Sequence, residues 1–232
     1  MVCRAELFQD RRDAGRVLAR AIQDASQESD LARDWQDGIV LGLPRGGVPV
    51  AYEVARALDL PLDILVVRKL GVAGLEELAM GAVASDGTVA INAAVLNQFN
   101  IPLEEVEAAA QREKAEIERR ERVYRNGRVP ARIEGRMVIL VDDGLATGAS
   151  MLAAVRSVRP WAREVMVAVP VAAESTYNEL LGEVDQVVCP HIATPFHSVG
   201  SFYRNFEQTT EEEVCALLSQ ARDGQQQWPA AS

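Results

Sequence analysis

The stretch Met137-Val-Ile-Leu-Val-Asp-Asp-Gly-Leu-Ala-Thr-Gly-Ala-Ser150 constrains this chain most. An unbroken apolar run, Met137 to Val141, ends in two adjacent carboxylates, Asp142 and Asp143. A loop of small residues follows, and then a helical pattern from Met151 to Val158. An apolar run of this length reads as a strand buried on both faces of a parallel sheet. Open α/β sheets place their ligands beyond the carboxyl ends of such strands. Two acids and a small-residue loop are therefore expected at a binding crevice.

The loop's chemistry follows from its residues. Thr147, Gly148, Ala149 and Ser150 make the turn and the first helical turn, where backbone N–H groups lack intrahelical partners and the helix dipole is positive. Gly148 allows close backbone approach, and Thr147 and Ser150 add hydroxyl donors. Together they form a nest for a phosphate dianion. Asp142 and Asp143 are acceptors only when ionised, which suits a vicinal diol. A phosphate nest one sugar's width from a diol clamp points to a 5-phosphorylated ribose. The competing reading of Asp-Asp-Gly alone is an ordinary capped strand-to-helix turn.

Val-Asp-Asp-Gly-Leu-Ala-Thr-Gly-Ala-Ser resembles the signature loop of type I phosphoribosyltransferases, which bind phosphoribosyl pyrophosphate. The resemblance extends more weakly over about residues 35–205. The chain is also similar to an uncharacterised group of that family that shares Leu-Pro-Arg-Gly-Gly, Arg-Lys-Leu-Gly and Val-Asp-Asp-Gly-x-Ala-Thr-Gly blocks. The resemblance implies an α/β fold with a mainly parallel twisted sheet flanked by helices, a small hood over the crevice and a long inserted helix. It also implies substrate contacts from Gly144, Leu145, Ala146, Thr147, Gly148, Ala149 and Ser150.

A second junction, Leu43-Pro-Arg-Gly-Gly-Val48, also joins a strand to a helix. By itself it reads as a glycine-rich turn with an exposed arginine. Beside the signature loop it matches the family's pyrophosphate loop, with Arg45, Gly46 and Gly47 as substrate contacts and a non-proline cis peptide at Pro44–Arg45. Arg68-Lys69-Leu70-Gly71 follows another apolar strand. It is either a solvated pair or a pyrophosphate clamp similar to the Arg-Lys segment of adenine phosphoribosyltransferases. The next residues, 70–78, read as a loop, and 71–78 matches the mobile catalytic loop in position. It carries Glu76 and Glu77, of which Glu77 is the catalytic candidate beside Asp142, Asp143 and Lys69; both acids also suit a plain surface role.

Composition bounds the rest. The 232 residues, 48% hydrophobic and 25% charged, suit one large α/β domain with a small appendage. Residues 1–222 are expected to form it, with the core at about 35–190, the hood from the chain ends and 223–232 a disordered tail. A net charge of −10 argues against nucleic-acid or anionic-membrane binding. An acidic chain that takes an anionic substrate needs local cations, and only two of its basic residues are lysines, Lys69 and Lys114. The scattered Cys3, Cys189 and Cys215 imply no disulfide framework. Cys189-Pro-His191 lacks the companions of a metal site, so no protein metal ligand is expected. Met1 to Asp10 has no leader-like apolar core and no run is long enough to span a bilayer, which sets the expectation of a cytoplasmic protein.

Periodicity predicts helices over 6–26, 47–58, 92–99, 103–126, 148–159, 174–182 and 211–221. Strands are predicted over 38–43, 62–67, 137–141, 164–170 and 184–189, with a hairpin of 79–84 and 88–91. The helix at 103–126 is either a solvated structural helix or a lid or homodimer element.

The resemblance implies displacement of pyrophosphate from C1 of phosphoribosyl pyrophosphate by a nitrogenous base, with Mg²⁺ as cofactor. Ala146 stands where hypoxanthine-guanine enzymes carry an acid, and Pro170-Val-Ala-Ala-Glu174 lacks the lysine those enzymes use. A 6-oxopurine acceptor is therefore disfavoured. Thr194 to Tyr203 is the candidate base segment, with Phe196 as stacking face and Phe202 and Tyr203 as further options. The rival readings are a non-enzymatic regulator that binds phosphoribosyl pyrophosphate or a nucleotide, and a phosphosugar hydrolase or mutase.

Overall fold

The computed structural model describes residues 8–28, 37–72 and 75–225, with 27–28, 75–77 and 223–225 as backbone alone. Five parallel strands form the central sheet in the order β2-β1-β6-β7-β9: β1 Ile39–Gly42, β2 Leu62–Ile64, β6 Met137–Val141, β7 Glu164–Ala168 and β9 Gln186–Val188. β6 lies at its centre, and all five of its residues are buried, as an apolar run flanked by strands on both sides requires.

Alternate side chains of β6 feed two cores. Met137, Ile139 and Val141 face one side, with Leu18 and Ile22 of α1 (Arg11–Glu28), Val50 and Val54 of α2 (Gly47–Leu58) and Leu217 of α7 (Glu211–Gln225). Val138 and Leu140 face the other, with Met151 and Val155 of α5 (Ala149–Val158). The period-2 strand pattern thus sets which helix covers which face.

β3 (Val67–Val72), β4 (Leu75–Ala84) and β5 (Val89–Ile91) form a separate antiparallel sheet. This corrects two expectations. The apolar run 62–67 is not one strand, because the chain leaves the central sheet after Ile64 and Val67 opens β3. Residues 70–78 are not an extended loop either: β3 and β4 pair through Val72↔Leu75, with register shifts at Gly71 that absorb the glycine-rich stretch. Glu76 and Glu77 lie on β4, and their side chains lie outside the described residues, as do Ala73 and Gly74.

α3 (Ala93–Phe99) is capped by Asn92, whose side chain accepts from Val95 N–H. α4 (Leu103–Arg125) buries Val106, Ala109, Ile117 and Tyr124, while Leu103 is 56% exposed. Its polar face carries Arg119 and Arg120 bonded to Glu116, and Arg119 reaches Glu211 of α7. At its end, Arg125 bonds Asp63 and the Ile64 carbonyl, and Asp63 also accepts from Ala131 N–H.

The predicted strand 164–170 ends at Ala168 as β7, and a short strand that was not predicted, β8 (Val171–Ala173), follows it. β8 leaves the central sheet and pairs in parallel with β10 (His191–Ala193), while α6 (Glu174–Leu180) follows it directly. α7 continues to Gln225, so its backbone takes in the first three residues of the expected tail; 226–232 lie outside the described residues. Phe8 and Gln9 pair with the segment 202–205: Phe8 N–H donates to Phe202 O, and Phe8 O and Gln9 O accept from Arg204 and Asn205. The start of the described chain is therefore joined to residues 202–205, and Tyr203 of that segment reaches the end of β6.

Candidate active site

β6 delivers Asp142 and Asp143 at its carboxyl end, both half-buried. Asp142 Oδ1 accepts from Asp143 N–H at 2.8 Å. Asp143 Oδ2 accepts from Arg11 Nε at 2.7 Å, and Asp143 O accepts from the Tyr203 hydroxyl at 2.6 Å. Burial, and the neighbouring Asp143 carboxylate after it, push Asp142 well above the usual carboxylate range, with Lys69 and Arg11 opposing. Burial also raises Asp143, against the pull of Arg11. Burial and the nearby Asp143 raise Tyr203, which keeps its hydroxyl a donor.

The signature loop is pinned from outside. Leu145 is buried, donates its N–H to Val171 O and accepts from Ala173 N–H, which ties the loop to β8. Thr176 of α6 donates its hydroxyl to Ala146 O at 2.6 Å. Gly148 has φ +70°, and a Cβ there would lie 2.6 Å from the Thr176 methyl, so the turn needs glycine on both counts. Gly148 ends the turn, and α5 starts at Ala149, which leaves the first N–H groups of a ten-residue helix beside exposed Thr147. A cavity of about 520 Å³ runs along this loop, bounded by Thr147, Ala149, Asn92, Leu152 and Thr176.

The second loop meets the acids through its glycines. A Cβ on Gly46 would lie 2.1 Å from Asp143 Oδ2, and one on Gly47 would lie 2.7 Å from Val141 O. The Pro44–Arg45 bond is cis. Arg45 is half-buried and near enough to Glu211 to help lower its pKa, behind the larger effect of Arg119.

Arg68 and Lys69 separate, as successive strand residues do. Lys69 is exposed and acts on Asp142, whereas Arg68 donates to Glu113 of α4 at 2.6 Å. Phe196 stacks on Phe202 with ring centroids 5.6 Å apart, so one of its faces is already covered. Three contributors were not singled out by sequence reasoning: Arg11, Thr176 and Phe206, whose ring lies 3.9 Å from the Arg11 guanidinium carbon. Arg11 reads as one charge on an amphipathic helix, and its partner lies 132 residues away.

Two strand-to-helix loops, one opening with paired acids and one closing with paired glycines, thus share a crevice edge. The phosphoribosyl transferase domain family matches residues 9–203. This chain belongs to that family. A Mycobacterium tuberculosis (strain H37Rv) protein with the name "putative phosphoribosyl transferase" is 43% identical over 219 residues, which cover 93% of this chain and 47% of that protein. The counterpart with the same name from strain CDC 1551 gives the same figures. The chain therefore spans about half the length of these relatives. The crystal structure of TT1426 from Thermus thermophilus is 40% identical, with a TM-score of 0.76, and covers 92% of this chain and 98% of its own. Among the described residues, no helix is long and apolar enough to cross a membrane.

Proposed function

We propose that the protein is a Mg²⁺-dependent phosphoribosyltransferase that moves the ribose 5-phosphate group of phosphoribosyl pyrophosphate onto a nitrogenous base. The observation that carries this reading is the contact between the two loops: Gly46 and Gly47 abut Asp143 and Asp142, beside the helix start at Thr147 to Ser150. A diol site, a phosphate site and a pyrophosphate site then lie within one substrate's reach.

In this reading the backbone N–H groups of residues 147–150 and the hydroxyls of Thr147 and Ser150 hold the 5-phosphate. Asp142 and Asp143 accept from the ribose hydroxyls and lie close to the positive charge that grows on the ring. Arg45 and Lys69 offset the charge that grows on departing pyrophosphate, and Arg68 keeps α4 seated through Glu113. Catalysis is then positioning plus electrostatics, with remote phosphate binding fixing the reacting carbon.

The crevice presents hard oxygen donors, which suit a cation that takes most of its shell from phosphate and water. Mg²⁺ arriving with the substrate would supply charge neutralisation at the leaving group. The same reading takes residues 1–222 as one domain and the protein as cytoplasmic, with α4 as either a lid or a homodimer element.

Pyrophosphate release tests the proposal. It should require both phosphoribosyl pyrophosphate and an acceptor base. Release without a base would favour a hydrolase, and binding without release a regulator.

A further inference from the structure

Arg11 is the one cation hydrogen-bonded to the acid pair among the described residues, and it comes from outside both loops. Its Nε donates to Asp143 Oδ2 at 2.7 Å and its Nη1 to Glu207 O at 2.6 Å. Its guanidinium lies 3.9 Å from the Phe206 ring centre, and Phe206 in turn packs on Tyr203, whose hydroxyl bonds Asp143 O. The side chain is 12% exposed. Oδ2 also fills the space beside Gly46, where a Cβ would lie 2.1 Å from it. One carboxylate oxygen is thus held by Arg11 and packed against Gly46, while no side chain among the described residues bonds Oδ1.

We propose that Arg11 is a positioning residue for the sugar site: by occupying Oδ2 it presents Oδ1 of Asp143 to a ribose hydroxyl. It makes that presentation depend on the seating of α1 and of residues 202–207. A guanidinium suits the task, because its planar fork bonds the carboxylate and a carbonyl at once while its face stacks on a ring. A lysine keeps the charge but loses the fork and the stacking. The inference rests on the reading of Asp143 as a sugar ligand.

The charges that act on Asp143 are the adjacent Asp142 and Arg11 from α1, with the neutral Tyr203 hydroxyl beside them, while Lys69 from β3 acts on Asp142. Removing Arg11 leaves the two carboxylates with Lys69 as counter-charge, so Asp143 should take up a proton at higher pH.

The test is a double-mutant cycle read by calorimetric binding of phosphoribosyl pyrophosphate with Mg²⁺. Arg11→Met should weaken binding at least about tenfold, the scale of one charged hydrogen bond, and Arg11→Lys should recover part of it. In the Asp143→Asn background, Arg11→Met should change affinity by less than about twofold, because Arg11 acts through that carboxylate. An undiminished effect in that background, or wild-type affinity in Arg11→Met, overturns the inference.

Failure of the wild-type protein to bind would sink the transferase reading instead. The positioning contact is then read without ligand, from the ¹³C carboxyl titration of Asp143. Its midpoint should rise by roughly one to three pH units in Arg11→Met, as loss of an adjacent cation implies. An unmoved midpoint overturns the contact itself.

Discussion

A Cβ built on Gly46 lies 2.1 Å from Oδ2 of Asp143, so the two crevice loops meet where one of them has no side chain. Residues far apart in the chain are held in contact by a missing methyl group. The acids at the end of β6 therefore sense the conformation of the loop after β1, and the reverse.

Alanine at either glycine should uncouple the loops. At Gly47 the new methyl meets backbone, 2.7 Å from Val141 O and 2.9 Å from the Asp142 Cα, and cannot be relieved by a rotamer change. Gly47→Ala should destabilise by about 1–3 kcal/mol, the usual range for overpacking. Gly46→Ala should instead displace a side chain, with little loss of stability and a large loss of phosphoribosyl pyrophosphate binding. Urea unfolding and calorimetry on both variants separate the two effects.

The acid pair should cost the unliganded fold stability. Burial and Asp143 raise the folded-state pKa of Asp142 well above its ordinary 3.8. The folded state thus holds the Asp142 proton more tightly than the unfolded chain does. Its contribution to stability is full below 3.8 and is lost as pH rises through the raised folded value. Asp142→Asn should therefore raise the melting temperature at neutral pH, by about 2–4 °C per kcal/mol released for a chain of this size. The gain should shrink as pH falls toward about 4, the ordinary carboxylate value. A melting series on both proteins reads this directly; a gain that grows toward low pH would reverse the assigned sign.

Asp63 and Arg125 form a buried pair, with side chains 5% and 6% exposed, that joins β2 to the end of α4. Asp63 also accepts from Ile64 and Ala131 N–H groups, and Arg125 also bonds Glu121 and the Ile64 carbonyl. Asp63→Ala leaves a guanidinium buried beside fewer acceptors, and should cost about 3–5 kcal/mol in chemical unfolding. Full wild-type stability would show that the remaining partners suffice.

Thr176→Val tests the outer support of the proposed phosphate loop. It deletes the bond to Ala146 O and keeps the shape of the side chain. A loss of about 1 kcal/mol is expected, together with weaker binding of ribose 5-phosphate. Unchanged ribose 5-phosphate affinity would show that the ties of Leu145 to Val171 and Ala173 hold the loop without it.

The strands that carry the crevice were legible because each is apolar throughout: Ile39–Gly42 and Met137–Val141 are buried on both faces, and no other element pattern fits them. The boundary at Ile64 was not. Leu65, Val66 and Val67 are as apolar as the strand before them, and only tertiary pairing shows that the chain has changed sheets. The β3–β4 pairing across residues 70–78 was hidden for the opposite reason. Gly71, Gly74 and two glutamates carry the local signals of a loop, and antiparallel pairing with register shifts overrides them. β8 and β10 are three-residue strands, too short to show a period. The acids, glycines and hydroxyls of the two loops sit in contiguous motifs and could be read directly. Arg11 and Tyr203 reach Asp143, and Phe206 backs both, only through the pairing of residues 8–9 with 202–205, which no local pattern records.

The most direct test of the central claim is pyrophosphate release from phosphoribosyl pyrophosphate with Mg²⁺ across a panel of purine and pyrimidine bases. Asp142→Asn and Asp143→Asn serve as controls. Release should depend on one class of base and fall at least about tenfold in each control, the scale of one charged hydrogen bond lost. Release that ignores the base, or that survives in both controls, would contradict the transferase reading.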